Sequence, residues 1–228
     1  MEFRLIYQGP LHGEKWDGKG RKGRATEKQA LRKHFHKQLR ELWKQHPDLR
    51  EQAESRYWVG KTPHNQVSFP GPGVRQIVRV PASDPNPEAK TWLEHIADDH
   101  QCCGGRFVPL ISETGGFTCA LNILFLRRDG PGNLIANGGD VDNRIKVLLD
   151  GLRMPKTMSE LGNLAIDQET ENPFFCLLED DALITSIAVN TDRLITPFQG
   201  GEHIHDVYLV IHVTVVNSSS VFAGGRLV

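Results

Sequence analysis

The stretch Gly138 to Arg153, Gly-Gly-Asp-Val-Asp-Asn-Arg-Ile-Lys-Val-Leu-Leu-Asp-Gly-Leu-Arg, constrains the fold of this chain more than any other. Ile145, Leu148, Leu149 and Leu152 recur at i, i+3, i+4 and i+7, the spacing of a helix with one buried face. At about 100° per residue, Asp142, Lys146 and Arg153 fall along one flank of that face, with Asp150 a little further round. Asp140 and Asp142 sit where a strand-like run gives way to the helix. Acid and base are therefore presented together, on rigid backbone, beside a core.

Hard cations such as Mg²⁺ are held by one or two carboxylates plus phosphate and water, and a neighbouring lysine offsets phosphate charge. The same residues also fit a plainer role. Asp140 or Asp142 can cap the helix, and Asp142 with Lys146 is a favourable i,i+4 pair. A second acidic group tips the balance toward chemistry. Glu179, Asp180 and Asp181 are wedged between the apolar runs Phe174–Leu178 and Ala182–Val189, where mutual repulsion calls for a positive partner.

Asp-Val-Asp-Asn-Arg-Ile-Lys-Val-Leu-Leu-Asp-Gly-Leu, followed downstream by Glu-Asp-Asp-Ala-Leu-Ile, resembles the paired signature of the RusA-like Holliday junction resolvases. These are small Mg²⁺-dependent endonucleases that act as homodimers on branched DNA. The resemblance implies that Asp140, Asp142 and Asp181 bind Mg²⁺, or Mn²⁺ in its place. It makes Lys146 the active-site lysine and Asp150 and Asp180 supporting acids. Three departures accompany it. Leu183 stands where the family commonly has Gln, the stretch from Arg153 to Glu179 is longer than usual, and the chain exceeds the smallest members. The expected activity is resolution of four-way junctions by paired nicks. The alternatives are a nuclease for flaps, forks or RNA, or a junction-binding protein with little turnover.

A length of 228 residues favours one domain, with an insertion at about 46–105. No apolar run approaches the roughly 20 residues of a membrane span, and the start carries no signal-peptide pattern. A cytoplasmic protein with no membrane partner is expected. Cys102, Cys103, Cys119 and Cys176 lack zinc-ligand spacing, although His95, Asp99 and His100 crowd near the first two. Net charge is −1, yet Met1 to Arg50 holds thirteen Lys or Arg against six Asp or Glu, a net of +7 that leaves −8 for the remainder. A basic arm beside an acidic catalytic part suits an enzyme that holds metal and DNA together.

Along the chain, Phe3–Tyr7 reads as a strand and His12–Arg24 as a mobile basic loop, whose Lys19, Arg21, Lys22 and Arg24 suit phosphate contacts. Thr26 and Gln29 resemble a capping box for a helix over Glu27–Gln45 that carries Arg32, Lys33, Lys37 and Arg40 as a DNA-facing side. Tyr57–Val59 and Val74–Val80 suggest a hairpin, and Trp92, Leu93 and Ile96 a short helix. Arg106–Ile111 and Thr118–Arg128 read as an antiparallel pair, and Ala182–Asn190 and Val207–Val216 as further strands. His203 and His205 are assigned to surface. The fold class predicted is α+β, a mixed, largely antiparallel sheet with helices packed on it.

Overall fold

A computed structural model describes residues 1–13, 20–61, 75–81, 83, 89–128, 141–195 and 205–217. The chain is α+β. In order it forms β1 (Glu2–Pro10), α1 (Gly20–Gln45), α2 (Pro47–Glu54), β2 (Arg56–Lys61), β3 (Arg75–Val80), β4 (Lys90–Thr91) and α3 (Trp92–Asp99). Then come β5 (Gln101–Cys102), β6 (Gly105–Ile111), β7 (Phe117–Arg127), α4 (Val141–Leu152), β8 (Phe174–Leu178), β9 (Ile184–Arg193) and β10 (Asp206–Asn217).

Among the described residues the strands make three sheets in the orders β1-β10-β7-β9, β3-β2-β4 and β5-β6-β8. All pairings are antiparallel except β7 with β9 and β6 with β8. The expected hairpin of β6 with β7 is not formed: β6 takes β8, while β7 lies between β10 and β9. Their burial explains the split. Phe107 to Ile111 is covered on both faces, as parallel strands between layers are, whereas β7 alternates between a core face and an open face.

Cys119, Leu121, Ile123 and Phe125 form that core face, as strand alternation predicts. In the same core lie Leu31, Phe35, Leu39 and Trp43 of α1 and Ile145, Leu148 and Leu152 of α4. Each such side chain contributes roughly 1.5–3 kcal/mol when removed from water. Close approach of the two helices depends on Gly151, where a Cβ would stand 2.7 Å from Cβ of Leu31.

One further reading changes. Helix α1 starts at Gly20, so Arg21, Lys22 and Arg24 belong to its first turns and not to a mobile loop. The region read as an insertion contributes Leu49 and Ala97 to the main core, and β2 and β3 form the expected hairpin. No helix among the described residues is long and apolar enough to cross a membrane.

Candidate active site

Asp142 and Lys146 lie one turn apart near the start of α4, both well exposed. Lys146 Nζ stands 3.7 Å from Asp142 Oδ2, with 58% and 61% of the two side chains open to solvent. A pair so hydrated is worth only a few tenths of a kcal/mol, so neither charge is committed. The other Asp142 oxygen accepts from the backbone N–H of Asn143 at 2.8 Å. Asp140 lies outside the described residues.

The far end of α4 is different. Asp150 accepts from Lys28 at 2.5 Å and from both Nη2 and Nε of Arg153, at 2.7 and 3.0 Å. Burial pushes its carboxyl up, but Lys28 and Arg153 together outweigh that and hold it below its usual range. Arg153 also reaches Glu160, which in turn pairs with the buried Arg32 at 2.9 Å. Asp150 thus anchors this end of α4 through ion pairs to Lys28 and Arg153.

The second acidic group stands beside this end. Met154 N–H donates to the carbonyl of Leu178, the last residue of β8, and Glu179, Asp180 and Asp181 follow. Asp180 accepts from the backbone N–H of Ala182 and pairs with Lys156, the positive partner that its crowding demanded. These contacts hold Asp180 well below the usual carboxylate range. Its hydrogen bond to Asp181, together with burial, pushes Asp181 up. Leu183 turns into the core.

The two motif acids therefore sit near opposite ends of one helix, whose axis rises about 16 Å between Asp142 and Arg153. Among the described residues, no three His, Cys, Asp or Glu side chains gather as a metal-binding group. The zinc-like cluster does not form either: His95 bonds the carbonyl of Tyr57, and His100 bonds that of Ile96.

The basic side of α1 is largely docked. Arg32, only 2% exposed, donates to the carbonyls of Arg153 and Glu160 and cannot lie along a DNA backbone. Lys33 pairs with Glu171 at 2.7 Å, and Arg40 donates to the carbonyl of Thr170. The long acidic stretch after α4 covers this face, which is why its charge misleads. Lys37 stays exposed, Arg24 is half-buried, and Lys19 and the side chains of Arg21 and Lys22 lie outside the described residues.

One polar cluster escaped sequence reasoning. His12 is buried, bonds Glu27 at 2.9 Å and packs its ring 4.6 Å from His205, whose Nδ1 accepts from Arg144 of α4 at 3.3 Å. It ties the first turns of α4 to the Val207 end of the large sheet. Nothing in the spacing of these residues announces it. Comparison with protein-family profiles, with curated proteins and with solved structures gave no match.

Proposed function

We propose that this protein is a divalent-metal-dependent endonuclease for branched DNA, cutting four-way junctions as a homodimer. The supporting observation is that Asp142 and Lys146 are held on rigid helix backbone with their charges uncommitted, in the motif that resembles the junction resolvases. Mg²⁺ or Mn²⁺ would supply Lewis acidity for phosphodiester hydrolysis. Asp140, Asp142 and Asp181 would hold the ion, and the Lys146 ammonium would offset charge on the phosphate.

Asp142 stands near the start of α4 and Asp181 beside its far end, and in this reading a second chain completes the set. Strand β9 offers a way to complete it. Its far edge has no partner strand among the described residues, and Ile184–Thr191 carries no charge, Pro or Gly to guard it. The opposite edge of the same sheet is capped, since Gln38 of α1 bonds both the N–H and the C=O of Ile6. Because β9 starts beside Cys119 and ends beside Arg127, antiparallel pairing of two β9 edges would carry Asp181 toward the end where the partner's α4 begins. Asp181 of one chain would then face the partner's Asp142.

The test is incubation with a four-way junction, a flap and a linear duplex, each with Mg²⁺ and with EDTA. Paired nicks in the junction alone, abolished by EDTA, are expected. Cleavage of flaps in preference would shift the substrate class, and tight junction binding with no cleavage would leave a binding protein.

A further inference from the structure

Cys102 and Cys103 close the hairpin between β5 and β6. Cys102 pairs with Gly105, so the loop is two residues, Cys103 and Gly104, with φ of 55° and 74°. Positive φ at both positions is the geometry for which Asn-Gly or Gly-Gly is favoured. A cysteine in the left-handed region is unusual, and such a residue persists only where its surroundings impose the conformation. Here Gln168 donates to the carbonyl of Gly104, and Gly105 sits so close to Ile166 that a Cβ would meet its Cδ1 at 2.6 Å. The consequence falls on the sulfurs. Adjacent strand residues normally point to opposite faces. The turn instead brings the two Sγ atoms to 2.9 Å, with both side chains half-buried and Cys102 Sγ donating to the carbonyl of Pro155 at 3.3 Å.

We propose that Cys102 and Cys103 are a modification site, a vicinal dithiol converted reversibly to a disulfide by exchange with a low-molecular-weight disulfide. The Cys102 sulfur, as thiolate, attacks the reagent disulfide, forms a mixed disulfide and releases one thiolate. The Cys103 sulfur then gives up its proton and attacks the Cys102 sulfur, expelling the second. Two protein thiols and one reagent disulfide become one protein disulfide and two reagent thiols. Burial, reinforced by the hydrogen bond to Cys102, pushes the Cys103 thiol up to about 12, so it acts second, inside the mixed disulfide. Neighbouring Cα atoms are held about 3.8 Å apart by the trans peptide, short of the roughly 4.4–6.8 Å usual for a disulfide, so the product is strained and easily reduced. Oxidation also removes the thiol donor to Pro155, the residue before the Lys156 that pairs with Asp180.

The experiment treats the full chain with oxidised glutathione, quenches with acid, alkylates, and reads intact mass and peptide maps. The expected product has lost two hydrogen atoms in the peptide containing Cys102 and Cys103, resists alkylation there and regains both thiols with dithiothreitol. Cys119 and Cys176, both buried, stay reduced and serve as internal controls. C103S is expected to stop at a stable glutathione adduct on Cys102. A wild-type chain that retains glutathione, cross-links to a second chain, or keeps both thiols free overturns the proposal, and none of these readings depends on a variant folding.

Discussion

Helix α4 carries an acid with a nearby base at each end, and the two pairs have opposite fates. Asp142 and Lys146 stand in water at 3.7 Å, while Asp150 is drawn between Lys28 and Arg153 at 2.5 and 2.7 Å with 19% of its side chain exposed. Spacing along a helix sets which residues are neighbours. What packs over them decides whether a charge is available to a ligand or spent on the fold. Here α1 and the stretch Met158–Leu161 cover the second pair and leave the first open.

Substitutions that treat the two ends alike should separate them. Asp142→Asn is expected to lower junction cleavage by at least about 100-fold with a thermal midpoint close to wild type, measured by nicking assay and calorimetry. Unchanged cleavage would return Asp142 to a capping role. Asp150→Ala should do the reverse in origin, losing roughly 3 kcal/mol of stability because two partly buried cations lose their partner. A denaturant midpoint equal to wild type would show that Asp150 is not the anchor described. Gly151→Ala tests the packing that covers that end. With Leu31 only 2.7 Å from the new methyl, a loss of about 1–3 kcal/mol is expected.

Smaller effects follow from a neighbour of the same packed layer. His36 is buried, accepts from the N–H of Phe175 at 2.8 Å, and is pushed down to about 4 by burial first and by Arg40 next. A depressed histidine favours the unfolded state as it binds a proton. Stability should therefore be intact above pH about 6.5 and fall, by up to about 1.4 kcal/mol per unit, as pH drops toward 4. His36→Gln should remove that component of the pH profile. The smallest stability effect belongs to Lys146→Ala, under about 0.5 kcal/mol, although cleavage should slow. A stability loss as large as that of Asp150→Ala would erase the contrast between the two ends.

The helices and most strands were legible because their burial follows simple periods. Ile145, Leu148 and Leu152 on α4 and Cys119 to Phe125 on β7 are buried as their spacing predicts. The partnership of β6 was not legible, since an apolar run shows that a strand is covered without showing by what. The basic face of α1 misled for a related reason. Arg32 and Lys33 look like a phosphate track until Glu160 and Glu171, well over a hundred residues away, are seen to meet them. The motif proposes Asp142 and Asp181 as members of one set, and motif spacing says nothing of which chain supplies each member.

Division of the site between two chains can be tested by complementation. Chains carrying Asp142→Asn and chains carrying Asp181→Asn, each inactive alone, are co-expressed with different tags and purified as the mixed dimer. If the site is shared between chains, the mixed dimer retains one complete set, Asp142 of one chain with Asp181 of the other, and should nick a four-way junction on one strand in the presence of Mg²⁺. A mixed dimer as inactive as its parents would place both acids in a single chain's site and contradict the account.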